Sequence, residues 1–328
     1  MSTAAFVVIA FMLTAYVVLD GYDLGVAAMA PLVARSDRER AAAMASIGPF
    51  WNGNEVWLIA SGGALFALFP MAYASSFSGF YLPFMLVLWL LMFRGIALEL
   101  RDHFPSPLWH DFWDAAFSLS SALLVFIFGV ALGNLLRGLP LDAAGYFQGT
   151  FGYLLNPYAM GVGVFALAVL GLHGASFLTL RIEGDLAMRA RRFRGVLWWV
   201  VLAAYVGLSA ATFFVRGGLP SGVVLVLPVL SLAALAVQWV SLRRGADAWA
   251  FGGSSAFIVT LLGSAAATLY PYLLPAFPAG QGGLSIFDAA PAPAALACAL
   301  TVTIGGSVAV LIYGSLVWRR MAGKIRVE

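Results

Sequence analysis

Residues 4–30, AAFVVIAFMLTAYVVLDGYDLGVAAMA, decide the class of this chain. The run carries only two charges, Asp20 and Asp23, both late in it. A helix rises about 1.5 Å per residue and crosses ~30 Å of hydrocarbon with about 20 residues, so this run is long enough to span a membrane. No basic segment precedes it, and its apolar character outlasts the core of a signal peptide. It reads as a true first span and not as a cleaved leader.

Uncharged runs of the same kind recur at 56–69, 115–136, 196–215 and 249–274. Across 328 residues, 62% are hydrophobic and 10% are charged. Soluble domains carry roughly 25% charged residues, and a soluble globule has no core that hides so many uncharged runs. The composition excludes a soluble enzyme, a nucleic-acid binder and a disordered chain. It indicates an all-α polytopic membrane protein. The lone cysteine, Cys298, forms no internal disulfide or thiolate metal site. His103, His110 and His173 are too few and too scattered for a metal or haem site built by this chain alone.

Working outward from residues 4–30, nine transmembrane helices are predicted: 4–30, 47–69, 77–100, 113–136, 156–180, 195–215, 220–241, 249–274 and 294–318. Turn and polar residues separate them, among them Arg35-Ser36-Asp37-Arg38, Phe69-Pro70, Gly217-Gly218-Leu219-Pro220 and the Gly/Pro-rich 275–293. Basic residues test the count. Arg35, Arg38 and Arg40 follow span one, and Arg101 follows span three. Arg181, Arg189, Arg191, Arg192 and Arg194 follow span five. Arg243 and Arg244 follow span seven; Arg319, Arg320, Lys324 and Arg326 follow span nine. Fifteen of 18 basic residues thus fall on one side, against Arg137 and Arg216 on the other. Helix capping alone would not alternate so regularly. The asymmetry puts the N-terminus outside and the C-terminus in the cytoplasm.

The exceptions carry the functional information. An ionisable residue at mid-span costs ~2.5–3.5 kcal/mol on insertion scales, so it marks a pairing or a site. Asp20 and Asp23 lie in span one, Asn52 and Glu55 in span two, Arg94 and Glu99 in span three, all toward the cytoplasmic side. Asn52 and Glu55 are three residues apart, on nearly one helix face. These six residues form a candidate polar cluster around Arg94. The plain reading is a neutralising knot. The functional reading is a proton-conducting or ion-binding site, favoured because the carboxylates outnumber the arginine. Trp51 and Trp57 are candidates for quinone or lipid contact, although interfacial belting is the commoner use of such residues. His173, between glycines, reads as a hydrogen-bonded packing residue before it reads as a haem ligand. No catalytic nucleophile–base pair and no metal-ligand spacing appears in this chain.

Several motifs resemble subunit II of the cytochrome bd quinol oxidases. They are Asp20-Gly21-Tyr22-Asp23-Leu24-Gly25, IGPFWNGNEVWLIASGGALFALFP at 47–70, FSGFYLPF at 77–84 and FRGIALELR at 93–101. ALGNLLRGLP at 131–140, LLNPYAMGVG at 154–163, LTLRIEGDLAMRARR at 178–192 and Leu284-Ser285-Ile286-Phe287-Asp288 continue the series. The similarity is dense over the first 190 residues and rests mainly on hydropathy over 195–275.

The resemblance implies two four-helix bundles plus one additional helix. Residues 1–136 would form the first bundle with the polar cluster, and 137–274 the second. Residues 275–328 would supply an outside loop, the ninth helix and a basic cytoplasmic tail. It also implies a haem-binding subunit I carrying two b haems and haem d, with no cofactor ligated by this chain. The reaction would be quinol oxidation coupled to four-electron reduction of dioxygen to water, building a proton gradient without pumping. This subunit would stabilise its partner and contribute a cytoplasmic proton path. Further expected partners are a small single-helix accessory subunit, membrane lipids and quinone, with no nucleic acid. The expected location is a bacterial or archaeal cytoplasmic membrane. The family usually has Asp where this chain has Asn52, which cannot titrate in the physiological range; Glu55 or Asp23 is expected to supply the carboxylate. The competing reading is a proton- or ion-coupled secondary transporter using Asp20, Asp23, Glu55 and Arg94.

Overall fold

The computed structural model describes residues 1–218, 226–278, 282–321 and 323–325. Arg326 and the start of the seventh predicted span, at 220–225, lie outside the described residues. The chain is mostly helical. Its elements are α1 (Ser2–Val33), α2 (Asp37–Ile47), α3 (Trp51–Leu68), α4 (Pro70–Gly79), α5 (Tyr81–Leu100) and α6 (Pro107–Arg137). They continue through α7 (Phe151–Leu154), α8 (Pro157–Arg181), α9 (Asp185–Arg216), α10 (Val226–Arg244) and α11 (Asp247–Leu269). The hairpin of β1 (Tyr272–Pro275) and β2 (Gly283–Ser285) precedes α12 (Pro293–Met321).

Among the described residues, eight helices are long and apolar enough to cross a membrane: α1, α5 with its extension to His103, α6 and α8 through α12. The second predicted span corresponds to α3, which has 18 residues. Asn52, Asn54 and Glu55 in its first turns lower its apolarity below that of the others.

Several boundaries differ from the sequence reading. The segment after α1 is not a simple loop: α2 forms there, capped by Ser36, whose side chain accepts from the Glu39 N–H. Asp37 and Glu39 in its first turn suit the positive helix end. Proline sets the next breaks. Pro70 opens α4, where the missing N–H costs nothing because the first turn has no intrahelical acceptor for it. The eighth predicted span runs to 274, but α11 stops at Leu269 ahead of Pro271. Tyr272–Pro275 pairs instead with Gly283–Ser285 as antiparallel strands. In the other direction, α9 begins at Asp185, ten residues before the predicted 195, so Arg189 to Arg194 extend a helix and do not lie in a loop.

Helix α1 is central, packed against α3, α6, α8 and α11. Its crossing with α8 is a backbone contact. A Cβ on Gly25 would sit 1.9 Å from the Leu170 carbonyl oxygen, and one on Gly174 would sit 2.3 Å from Gly25. No side chain fits there, and such close approach is how helices gain packing in a membrane. The remaining extensive pairings are α6 with α8, α8 with α9, α10 with α11 and α5 with α6. Helix α12 rests on α3 and α1 and is the least buried of the long helices.

Candidate functional site: a buried ion cluster on α1, α3 and α5

Asp20 and Asp23 stand three residues apart on α1, so both face one side of that helix. Both are fully buried, as is Arg94 from α5. Arg94 grips Asp20 with both arms: Nη2 donates to Oδ1 at 2.5 Å and Nη1 to Oδ2 at 3.1 Å. Two parallel charge-assisted bonds fix the guanidinium as a single ammonium group could not. The second carboxylate is held differently. Arg94 Nη2 stands 3.9 Å from Asp23 Oδ2, too far for a hydrogen bond.

Asn54, from α3, completes the cluster. Its Nδ2 donates to Asp23 Oδ2 at 2.7 Å and lies 2.8 Å from the Tyr22 hydroxyl and 3.2 Å from the Leu19 carbonyl. An amide nitrogen has two hydrogens, so three acceptors share two donors. Asp23 Oδ1 and Arg94 Nε are buried with no hydrogen-bond partner. With both carboxylates ionised, two negative charges face one positive charge. An uncompensated buried charge is costly. The cluster therefore holds one more carboxylate than it has guanidinium groups to balance them.

The structure brings together Asp20, Asp23 and Arg94, as the sequence indicates. Glu55 is half-buried and interacts electrostatically with Arg94 and Asp20. Asn52 is a correction: it is exposed and does not sit beside the acids. Asn54 takes that place. Two residues along a helix rotate the side chain by about 200°, so the two asparagines of Asn52-Gly53-Asn54 face opposite ways. Glu99 is also exposed, outside the cluster. Trp51 is half-buried and Trp57 is 2% exposed, packed edge-on to Phe11 at 5.9 Å.

Other charges form a belt at the ends of the helices. Arg101 binds Asp114 and Asp37, each at 2.6 Å, and Arg40 reaches Asp114 at 2.7 Å. Arg189 donates to Glu39 and to the Val33 carbonyl. Arg191 and Arg194 both hold Asp247, at 2.6 and 3.2 Å. These pairs tie α2, α6, α9 and α11 together and need no further role.

His173 tests whether the chain suits a haem. It is fully buried. Its Nε2 lies 2.9 Å from the Val18 carbonyl and its Nδ1 2.7 Å from Ser254 Oγ. A carbonyl only accepts, so Nε2 carries the proton, and Nδ1 is covered by the Ser254 hydroxyl, whose one hydrogen is shared with the Phe251 carbonyl at 2.8 Å. Neither nitrogen offers a free lone pair to an iron. His110 Nδ1 lies 3.3 Å from Asp37 at the charged belt. No cluster of His, Cys, Asp and Glu that could hold a metal ion occurs among the described residues. His173 is therefore not placed as a haem ligand.

A bundle of apolar helices around a buried carboxylate–guanidinium cluster defines a multi-span membrane protein with an internal ionisable site. Comparison with known proteins makes this specific. The family of cytochrome bd terminal oxidase subunit II matches over residues 1–321. Cytochrome bd-I ubiquinol oxidase subunit 2 of Escherichia coli K12 is 29% identical over 355 aligned positions, covering 97% of this chain and 93% of that protein. Cytochrome bd ubiquinol oxidase subunit 2 of Bacillus subtilis is 33% identical, covering 82% of this chain and 80% of its own length. A chain of the solved bd oxidase of Geobacillus thermodenitrificans shares the fold, with a TM-score of 0.79, 17% identity and 97% of each chain covered.

The chain belongs to the cytochrome bd terminal oxidase subunit II family. It is a subunit of a cytochrome bd ubiquinol oxidase, an oxidoreductase complex of the bacterial respiratory chain. A second subunit implies a partner subunit I, and cytochrome bd oxidase is a haem-dependent complex. This membership displaces the transporter reading, and the archaeal location finds no support among these bacterial relatives.

Proposed function

We propose that this chain is the haem-free subunit of a bd-type quinol oxidase, stabilising the haem subunit and carrying part of a cytoplasmic proton path. The complex would oxidise two quinols per dioxygen, giving two quinones and two waters. The protons that make water would come from the cytoplasm and those leaving quinol would be released outside, without pumping. The two b haems, haem d and the main quinol site would lie in subunit I. Lipids, quinone and a single-helix accessory subunit are further proposed partners.

In this reading the chain spans the membrane nine times, α3 included, with the N-terminus outside and the C-terminus in the cytoplasm. Fifteen of its 18 basic residues then face one side. Helices α1, α3, α5 and α6 form one four-helix group, α8 to α11 a second, and α12 is the additional helix. The packing of α1 on α3, α5 on α6, α8 on α9 and α10 on α11 falls within those groups, and α1 and α6 also pack on α8 across them.

The observation that carries the proton role is Asp23, a fully buried carboxylate with one oxygen lacking any hydrogen-bond partner, beside an arginine already engaged by Asp20. Glu55 is the second carboxylate of the path, because Asn52 cannot titrate. The test is oxygen reduction by purified complexes carrying Asp23→Asn or Glu55→Gln, with haem spectra as the check on assembly. Slowed turnover with normal spectra is expected. Wild-type turnover in both variants would remove the proton role.

A further inference from the structure

The arginines of the charged belt divide in two. Arg40, Arg101, Arg189, Arg191 and Arg194 are each held by a carboxylate. Arg192, Arg243 and Arg244 are exposed, and among the described residues no carboxylate stands within ion-pair reach of them. Asp247, three residues beyond Arg244, is already taken by Arg191 and Arg194. The three unpaired guanidiniums gather at one end of the α9–α10 pair, where α9 begins and α10 finishes.

Beside them stands a tryptophan cluster. Arg243 lies over the Trp239 ring at 4.8 Å. Trp239 meets Trp198 at 4.6 Å and Trp199 at 5.1 Å. The Trp198 N–H donates to the Leu235 carbonyl at 3.0 Å, which fixes α9 to α10 at this level. Trp199 is 56% exposed, and Arg192 precedes it by about two helical turns on the same face. Indoles settle at headgroup depth in a bilayer, so these arginines stand level with lipid phosphates. Otherwise α9 packs on α8 and α10 on α11, and the two helices touch each other only lightly. One turn deeper, Ala203 and Ala236 are both exposed. Their small side chains leave a furrow between the helices.

A guanidinium binds a phosphate through two parallel charge-assisted bonds. Basic pockets between spanning helices on the cytoplasmic side suit anionic headgroups for that reason. Here cations without a protein partner meet aromatic surface at headgroup depth and an apolar furrow below it. We propose that the furrow between α9 and α10 binds one anionic phospholipid of the cytoplasmic leaflet. Arg192 and Arg243 hold its phosphate, and an acyl chain lies over Trp199 and Trp239 toward Ala203 and Ala236. The phosphate then bridges α9 to α10, as Asp247 bridges α9 to α11. The proposal deepens the lipid partnership given above. Its leaflet rests on the proposed orientation; the binding itself does not.

The experiment uses the whole oxidase, delipidated in detergent and titrated with phosphatidylglycerol, with bound lipids counted by native mass spectrometry. The double variant Arg192→Gln with Arg243→Gln is compared with the wild type and with Arg320→Gln, an exposed arginine on α12. The expected result is one phosphatidylglycerol held severalfold more weakly in the double variant, with the haem spectrum unchanged and Arg320→Gln like the wild type. Phosphatidylglycerol should also raise the melting temperature of the wild type more than that of the double variant. Undiminished binding in the double variant overturns the site. So does an equal loss in Arg320→Gln, which means diffuse charge attraction. Equal retention of phosphatidylcholine, or displacement of the lipid by inorganic phosphate, overturns an anionic phospholipid as the occupant. The count is blind to leaflet, so a wrong orientation leaves it unmoved and is detected separately by thiol labelling from either side of the membrane.

Discussion

Arg94 decides the energetics at the residue scale. It is the sole cation against Asp20 and Asp23 within the described cluster, and its loss leaves two buried carboxylates unpaired. Removing one partner of a buried pair costs about 3–5 kcal/mol, enough to prevent stable assembly. Arg94→Gln is expected to give little haem-loaded complex on purification. The double variant Arg94→Gln with Asp20→Asn should recover more, because it removes both members of the pair; equal yields would contradict the pairing. Asn54→Leu strands Asp23 Oδ2 and the Tyr22 hydroxyl, at about 1–3 kcal/mol for a buried unsatisfied group, visible as a lowered melting temperature of the complex. The three charged members were legible in the sequence because a charge in an apolar run cannot be overlooked. Asn54 was not. Helices that are apolar on every side carry no stripe to set their rotation, so Asn52 and Asn54 could not be told apart without α1 and α5 in place.

Contact geometry governs the element scale. The α1–α8 crossing tolerates no Cβ at Gly25 or Gly174. Gly174→Val is expected to separate these helices, break the His173–Val18 bond at 2.9 Å and abolish assembled complex in the membrane fraction. Helix α2 gives a pH-dependent test. Burial pushes the Glu39 carboxyl upward, but the Arg35 N–H and the Arg189 guanidinium outweigh it and hold the group below the usual carboxylate range. A lowered folded-state value stabilises above the unfolded pKa, about 4.3 for Glu. That contribution is lost as pH falls through the folded value. Proteolysis between α1 and α2 should therefore rise in the wild type below about pH 4, and Glu39→Gln should show fast cleavage with little pH dependence. Helix existence was legible from apolar runs of membrane length. The extension of α9 and the presence of α2 were not, because short charged segments beside apolar runs read equally well as loops. The hairpin at 272–285 was hidden for a different reason: its first strand continues the apolar run of α11, and only Pro271 marks the change.

Topology and proton supply belong to the whole molecule. Nine spans with the N-terminus outside put the exposed residue Ala143 outside and the exposed Ala45 of α2 in the cytoplasm. In a Cys298→Ala background, Ala143→Cys is expected to react with an impermeant maleimide in intact cells, and Ala45→Cys only in inverted vesicles. The reverse pattern would overturn the orientation. The direction of charge bias was readable from the 18 basic residues alone. The central claim is that the cluster on α1, α3 and α5 passes protons to the oxidase. It is tested most directly by following proton uptake from the cytoplasmic side with a pH indicator as the reduced Asp23→Asn complex reacts with dioxygen. The account predicts slowed uptake with an unchanged haem spectrum; uptake at the wild-type rate in that assembled variant would contradict it.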